Sequence, residues 1–149
     1  MSASSPGPTA IMVRASEKSR KALSEGEDEA AAWLEEIWSG SRSNDTECVT
    51  CGRTGELQDN HLASTRHGEL TVPQCQPCHQ EFTEGQDLWD ARWRSPRRSP
   101  ELDESLLIRG LYDLLRQRAR FIPESRRGAY FSLADYLREQ YALAAARTV

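Results

Sequence analysis

The chain has 149 residues, 38% of them hydrophobic and 28% charged, with a formal net charge of -4 at pH 7. That length accommodates one small domain with extensions, the mean hydropathy of -0.70 is that of a rather polar chain, and no apolar run is long enough to span a membrane. The negative sum argues against indiscriminate nucleic-acid binding by the whole surface, yet the charge is unevenly placed. Glu25, Glu27, Asp28, Glu29, Glu35 and Glu36 come without an intervening basic residue, whereas Arg92, Arg94, Arg97 and Arg98 form a run without an acid. Arg109, Arg116, Arg118, Arg120, Arg126 and Arg127 follow against Asp113 and Glu124, so basic charge gathers in the C-terminal half.

Residues 1–15 open on Ser, Pro and Gly and read as a disordered tail. No basic region is followed there by an apolar core, so a secretion signal is not expected, and the chain is assigned to a reducing, cytoplasmic compartment. In the helical segment 16–40, Ser24 with Glu27 makes a capping box. Ala30, Trp33, Leu34, Ile37 and Trp38 then recur at helical spacing until Gly40, which predicts a helix over 25–39. Such a stripe is assigned to the protein's own core rather than to a partner, and the acidic run to a solvated face.

The polar stretch 41–46 leads into Cys48-Val49-Thr50-Cys51, which is matched by Cys75-Gln76-Pro77-Cys78, and the chain has 4 cysteines in all. The pattern is C-x2-C-x23-C-x2-C. A two-residue gap lets both thiolates of a knuckle reach one ion, and two knuckles complete the closed tetrahedral set that suits structural zinc. Gly52 and Pro77 supply the tight backbone such knuckles need. Disulfides would require an oxidising compartment, and a redox pair would explain one C-x-x-C but not two; an iron–sulfur cluster uses the same ligands. Zinc is the assignment made on spacing and ligand count. A segment this short and poor in large apolar residues must draw much of its folding free energy from the metal.

Between the knuckles, 56–58 and 70–72 are the strand candidates, with Gly68 as a turn residue, and they predict a β-hairpin. After the second knuckle, Phe82, Gln86, Trp89 and Trp93 recur at helical spacing and predict one helix over 77–93 whose aromatic face covers the hairpin. The zinc-binding core is thus placed at 44–93 and an Arg/Pro linker at 94–100. Ser99-Pro100 starts the next helix, which carries Leu107, Leu111, Leu114, Leu115, Ala119 and Ile122 to Pro123. A second helix is expected from Ser132, where Asp135 completes an acidic capping box, so that 101–149 forms a helical hairpin.

All 3 histidines lie in or beside the cysteine segment. His67, in a polar turn, reads as exposed. A histidine ending the first strand (His61) and another starting the next helix (His79) would bring two imidazoles to one phosphate-sized gap. One imidazole would take a proton from water while the other ligates a divalent metal. As alternatives, His61 would donate to a backbone carbonyl near the hairpin, and His79 would be a spare zinc ligand.

With Cys48-Val49-Thr50-Cys51-Gly52, then Glu56-Leu57-Gln58-Asp59-Asn60-His61-Leu62, then Leu70-Thr71-Val72-Pro73-Gln74-Cys75-Gln76-Pro77-Cys78-His79, the segment 48–82 resembles the HNH endonucleases of the four-cysteine type. The resemblance implies a ββα-metal, treble-clef-like core in which zinc is structural, His61 is the general base and His79 holds the catalytic metal, magnesium or another divalent ion. The family usually has a further metal ligand just before the base. Here that position is Asn60, with Asp59 beside it as a substitute, and the family's middle asparagine falls at about Leu70.

The sequence therefore reads as an α+β protein: a zinc-stabilised core of Cys48, Cys51, Cys75 and Cys78, flanked by an N-terminal helix and a C-terminal helical hairpin. The expected activity is metal-dependent hydrolysis of DNA, with His61, Asn60, Asp59 and His79 at the site and Arg92, Arg94, Arg97 and Arg98 on the DNA backbone. An inactive zinc module that binds nucleic acid or a protein partner is the alternative.

Overall fold

The computed structural model describes residues 28–39, 46–64, 67–89, 91–94, 97 and 99–147. The expected tail, the Ser24 cap, the Gly40 stop, Arg98 and the Trp38 side chain lie outside the described residues. Helices and one antiparallel pair of strands alternate in the order α1 (Asp28–Ser39), β1 (Gln58–His61), β2 (Thr71–Gln74), α2 (Gln76–Gly85), α3 (Pro100–Ala119) and α4 (Glu124–Ala146). This is an α+β arrangement with a small ββα-like unit at its centre. No helix among the described residues is long and apolar enough to cross a membrane.

The start of α3 matches the sequence signals. Ser99 Oγ accepts the Leu102 N–H at 3.1 Å, Pro100 occupies the first turn with Glu101 and Asp103, and Arg116 and Arg118 occupy the last. Each choice complements its helix end. Ser99→Ala is expected to cost about 1 kcal/mol, read as a lower denaturant midpoint with an unchanged slope. Leu102, Leu106, Ile108, Leu111, Leu114 and Leu115 are all buried on α3. They cover more than one face because α4 packs along one side while the ββα unit meets the other.

Helix α4 begins at Glu124, eight residues before the expected Ser132. Pro123 ends α3's pattern, and its φ of -52° already suits a first helical turn. Arg127 then donates to the carbonyls of Ile122 (2.8 Å) and Arg120 (3.3 Å), satisfying acceptors that the end of α3 leaves open. Ser132 and Asp135 consequently sit inside the helix, exposed, and cap nothing. Helix α1 lies on α4: Ala30, Leu34 and Ile37 are buried, and Trp33 meets Tyr130 edge-on at 6.1 Å. Glu29 accepts from both Tyr130 Oη and Arg126 at 2.7 Å. Burial, with Glu29 beside it, pushes the Tyr130 phenol up to about 12. Glu35 and Glu36 stay exposed, as a solvated face requires.

The expected 77–93 helix is broken. Helix α2 stops at Gly85, a short 3-10 turn covers Gln86–Leu88, Trp89 is extended (ψ 162°), and a second 3-10 turn covers Ala91–Arg94. Tertiary contact overrides the helical period here. The Trp89 ring is buried, and its indole N–H donates to Asp113 Oδ2 on α3 at 2.6 Å. Burial raises the Asp113 carboxyl above its usual range, opposed by that bond and by Arg109. The aromatics still cluster, Phe82 on Trp89 at 6.3 Å and Trp89 on Trp93 at 6.4 Å, but across a turned chain. The arginine run therefore does not ride on the far end of a long helix.

The strands are displaced toward the C-terminal side of the expected ones, with Gln58 opposite Gln74, Asp59 opposite Pro73, Asn60 opposite Val72 and His61 opposite Thr71. The Leu62 N–H donates to the Leu70 carbonyl at 3.1 Å, closing the loop between them. His67 in that loop is buried, contrary to its expected exposure, because its Nδ1 lies 2.8 Å from Asp103 Oδ1 on α3. One apolar cluster runs from α1 through Leu62, Val72, Phe82 and Trp89 into α3 and α4. The sulfurs form a second, separate one.

Candidate metal centre

Each knuckle is built by local backbone. In the first, the Gly52 N–H donates to the Cys48 carbonyl (2.9 Å) and the Cys48 N–H to that of Arg53 (2.8 Å). Gly52 takes a φ of +80°, which costs glycine little. The second knuckle is the start of α2. Cys75 is its N-cap, Pro77 lies in the first turn, and Cys78 follows on the same turn, where the positive end of the helix favours thiolates. The Val49 N–H donates to the Pro73 carbonyl at 2.8 Å, which fixes the first knuckle beside β2.

The sulfurs of Cys48, Cys51, Cys75 and Cys78 all lie within 4.8 Å of one another, positioned to hold a metal ion. Cys51 Sγ and Cys75 Sγ are 3.7 Å apart. A tetrahedron with zinc–sulfur bonds of about 2.3 Å has edges of about 3.8 Å, so the spacing fits zinc. The protons tell the same story. Burial opposes ionisation of Cys48, but hydrogen bonds from the backbone at Cys51, Cys75 and Thr50 outweigh it and bring the thiol down to about 7. Burial and the neighbouring sulfurs push Cys78 far up. Thiols this close cannot all ionise without a cation between them. Histidine takes no part in this cluster of described residues.

A buried polar chain ties the knuckles to α3. Asn60 Nδ2 donates to Gln74 Oε1 (2.7 Å), and Gln74 Nε2 donates to Thr50 Oγ1 (2.8 Å) and Gln117 Oε1 (3.0 Å). Gln117 Nε2 in turn donates to the Cys78 carbonyl (2.9 Å) and to Glu81 (2.8 Å), while Arg118 donates to the Thr50 carbonyl (2.8 Å). Glu81 also pairs with Arg120. Burial opposes the Glu81 charge, but these donors prevail and hold its carboxyl below its usual value. Gln117 carries no sequence signal, and Thr50 and Gln74 carry only their places next to Cys51 and Cys75.

The other expected site residues divide by strand alternation. Gln58 and Asn60 share the face of β1 that looks toward α2: Gln58 Oε1 accepts from His79 Nδ1 at 2.6 Å, and Asn60 is buried. Because that oxygen only accepts, Nδ1 is the donor in this bond and Nε2 is the ring nitrogen it leaves for other partners. Asp59, exposed, and His61, half-buried, take the opposite face, so the two imidazoles do not share one face of the hairpin. The His61 ring has no hydrogen bond among the described residues. Leu70 is half-buried against the core. Arg94 bonds Asp87 at 2.8 Å and lies over the Trp93 ring at 4.8 Å; Arg92 is half-buried and Arg97 exposed. No family model matches the chain, and no curated protein and no solved structure is significantly similar to it.

Proposed function

We propose that the protein is an HNH-like, metal-dependent DNA endonuclease whose four cysteines hold a structural zinc. The observation that supports it is the arrangement about the end of β1. Asn60 and Gln58, with His79 bonded to Gln58, share one face, and the next residue, His61, carries on the other an imidazole with no hydrogen bond among the described residues. The reading requires the phosphodiester to pass over the strand end so that it reaches both faces. His61 takes a proton from water as the water oxygen bonds to phosphorus; the phosphorus–oxygen bond to the leaving nucleotide breaks, and the proton passes to that oxygen. The donors available to a divalent ion are His79 Nε2 and Asn60 Oδ1, since the Asn60 bond to Gln74 uses the amide nitrogen. An ion there would stabilise the charge developing on the phosphate.

The second reading is an inactive zinc module that binds nucleic acid or a protein. It is favoured by one observation: the His79 face of β1 has no carboxylate, since Asp59 lies on the other, and hard cations prefer carboxylate oxygen. Nicking of supercoiled plasmid with added magnesium or manganese separates the two. His61→Ala is expected to lower the rate by about a hundredfold or more while zinc content is retained. Equal cleavage by both proteins removes His61 as the base. No cleavage by the wild type under either metal leaves the module.

A further inference from the structure

We propose that the groove between α2 and the α3–α4 hairpin binds the sugar–phosphate backbone of a nucleic acid, through arginines that lie outside the 92–98 run. A cavity of about 650 Å³ opens there, walled by Glu81, Phe82 and Gly85 of α2 and by Arg109, Tyr112 and Arg116 of α3. A second cavity of about 440 Å³ shares Arg109 and Tyr112 with it and continues to Arg138 and Tyr141 of α4. The two form one path whose α2 wall starts two residues after His79.

Arginines and rings alternate along this path. Arg109 lies 5.7 Å from the Tyr141 ring and 5.8 Å from the Tyr112 ring; Arg116 lies 5.7 Å from Tyr112 and 5.5 Å from Phe131. Such contacts hold a guanidinium in place without using its N–H groups, which remain in its plane for the bidentate grip that phosphate favours. The local acids are already committed. Asp113 accepts from Trp89 and Arg109, and Glu81 from Gln117 and Arg120. Arg116 and Arg138 are exposed and have no hydrogen-bonded carboxylate among the described residues. Four arginines, at 109, 116, 120 and 138, thus face two lining carboxylates on a chain of net charge -4.

The length of the site points to a polymer. Positions 109 and 120 are about 16 Å apart along α3 at 1.5 Å per residue, more than one phosphate group covers. The identity of that polymer rests on the nuclease reading; the binding itself does not. The rings, half-buried at Tyr112, Phe131 and Tyr141, present their remaining surface between cations, which suits a strand with bases to stack better than it suits an acidic peptide.

The test is binding without cleavage. The zinc-loaded full chain is titrated into a labelled 20-nucleotide DNA, single-stranded and duplex, with no added magnesium, over a range of salt, for wild type and Arg116→Gln/Arg138→Gln. The double variant is expected to bind about tenfold or more weaker at low salt, with a dependence of log affinity on log salt shallower by about 1.4 units on the single strand and about 1.8 on the duplex, for two lost phosphate contacts. Both substituted side chains are exposed, and matching zinc content and circular dichroism exclude a folding defect. Equal affinity and slope for wild type and double variant overturn the proposal, as does a wild type that binds neither DNA. Displacement of DNA by poly-glutamate at equal charge would assign the groove to an acidic protein segment instead. Binding that depends on the two arginines in a protein that cuts nothing leaves this inference standing and removes the nuclease reading; cutting with unchanged binding does the reverse.

Discussion

Cys75→Ser is expected to release the metal and unfold residues 46–85, while the α3–α4 hairpin keeps its helical signal. The expectation follows from how little apolar packing the sulfur centre has of its own, although Leu62, Val72 and Phe82 of the segment reach the main core. Its sulfur cluster is packed only by Leu57 among the described apolar residues, and its sheet is two strands of four residues each. A two-stranded hairpin is marginal by itself. A structural zinc contributes on the order of 10 kcal/mol to so small a unit, comparable to the whole stability of a domain. Without a cation the centre also becomes self-opposing, since Cys48 ionises near neutrality while burial and its neighbours keep Cys78 protonated. Cys75 is a telling position because it lies between the end of β2 and the start of α2 and contributes one of the four sulfurs; its side chain caps nothing and serine suits an N-cap, so the loss falls on the ion alone. Elemental analysis should find one zinc per wild-type chain and none in the variant. Amide exchange should accelerate throughout 46–85 and much less over the buried turns of α3 and α4. A metal-free variant with wild-type protection across the hairpin would sink the structural role; iron in the purified wild type would sink the choice of zinc.

That the metal centre could be read from the sequence, while its surroundings could not, has a physical cause. A knuckle is local: two cysteines, a two-residue gap and a glycine or proline specify it, and Gly52 and Pro77 do what their positions imply. The start of α3 is equally local, since Ser99 caps a residue three positions on. What failed depends on partners far along the chain. The period from Phe82 to Trp93 is helical in sequence, but Trp89 is drawn to Asp113, 24 residues away, and the helix gives way. His67 is polar in a polar turn, yet Asp103, 36 residues on, accounts for its burial. The chain through Thr50, Gln74 and Gln117 spans separations of 24 to 67 residues with glutamine and threonine, whose types announce nothing. The start of α4 differs for a local reason: Pro123, which in the sequence marks only the end of α3, also fixes φ for entry into the next helix, whereas Ser132 only offers an acceptor.

Gly110→Ala is expected to destabilise the protein, against the usual sign for this exchange. In an unobstructed helix interior alanine is more favourable than glycine by about 0.8–1.0 kcal/mol. Gly110 sits in the middle of α3, where a Cβ would come within 2.0 Å of the Leu62 carbonyl oxygen and 2.8 Å of its carbon. The obstacle is backbone, not a flexible side chain, and it is held: the Leu62 N–H is bonded to the Leu70 carbonyl, and the Leu62 side chain is fully buried. Neither partner yields cheaply, so α3 must move off the end of β1. Overpacking costs about 1–3 kcal/mol, and a rigid obstacle places this case at the upper end. At about 2–4 °C per kcal/mol for a chain of this length, the melting temperature should fall by roughly 6–12 °C. Gly128→Ala in α4 provides the control, because a Cβ there meets nothing within 4 Å and should raise the midpoint slightly. Since Leu62 directly follows His61, the displacement should also depress any cleavage while leaving the four-cysteine centre in place. A Gly110→Ala protein as stable as the Gly128→Ala control would mean that α3 does not rest on the strand end, and the close seating of this helix against His61 would have to be abandoned.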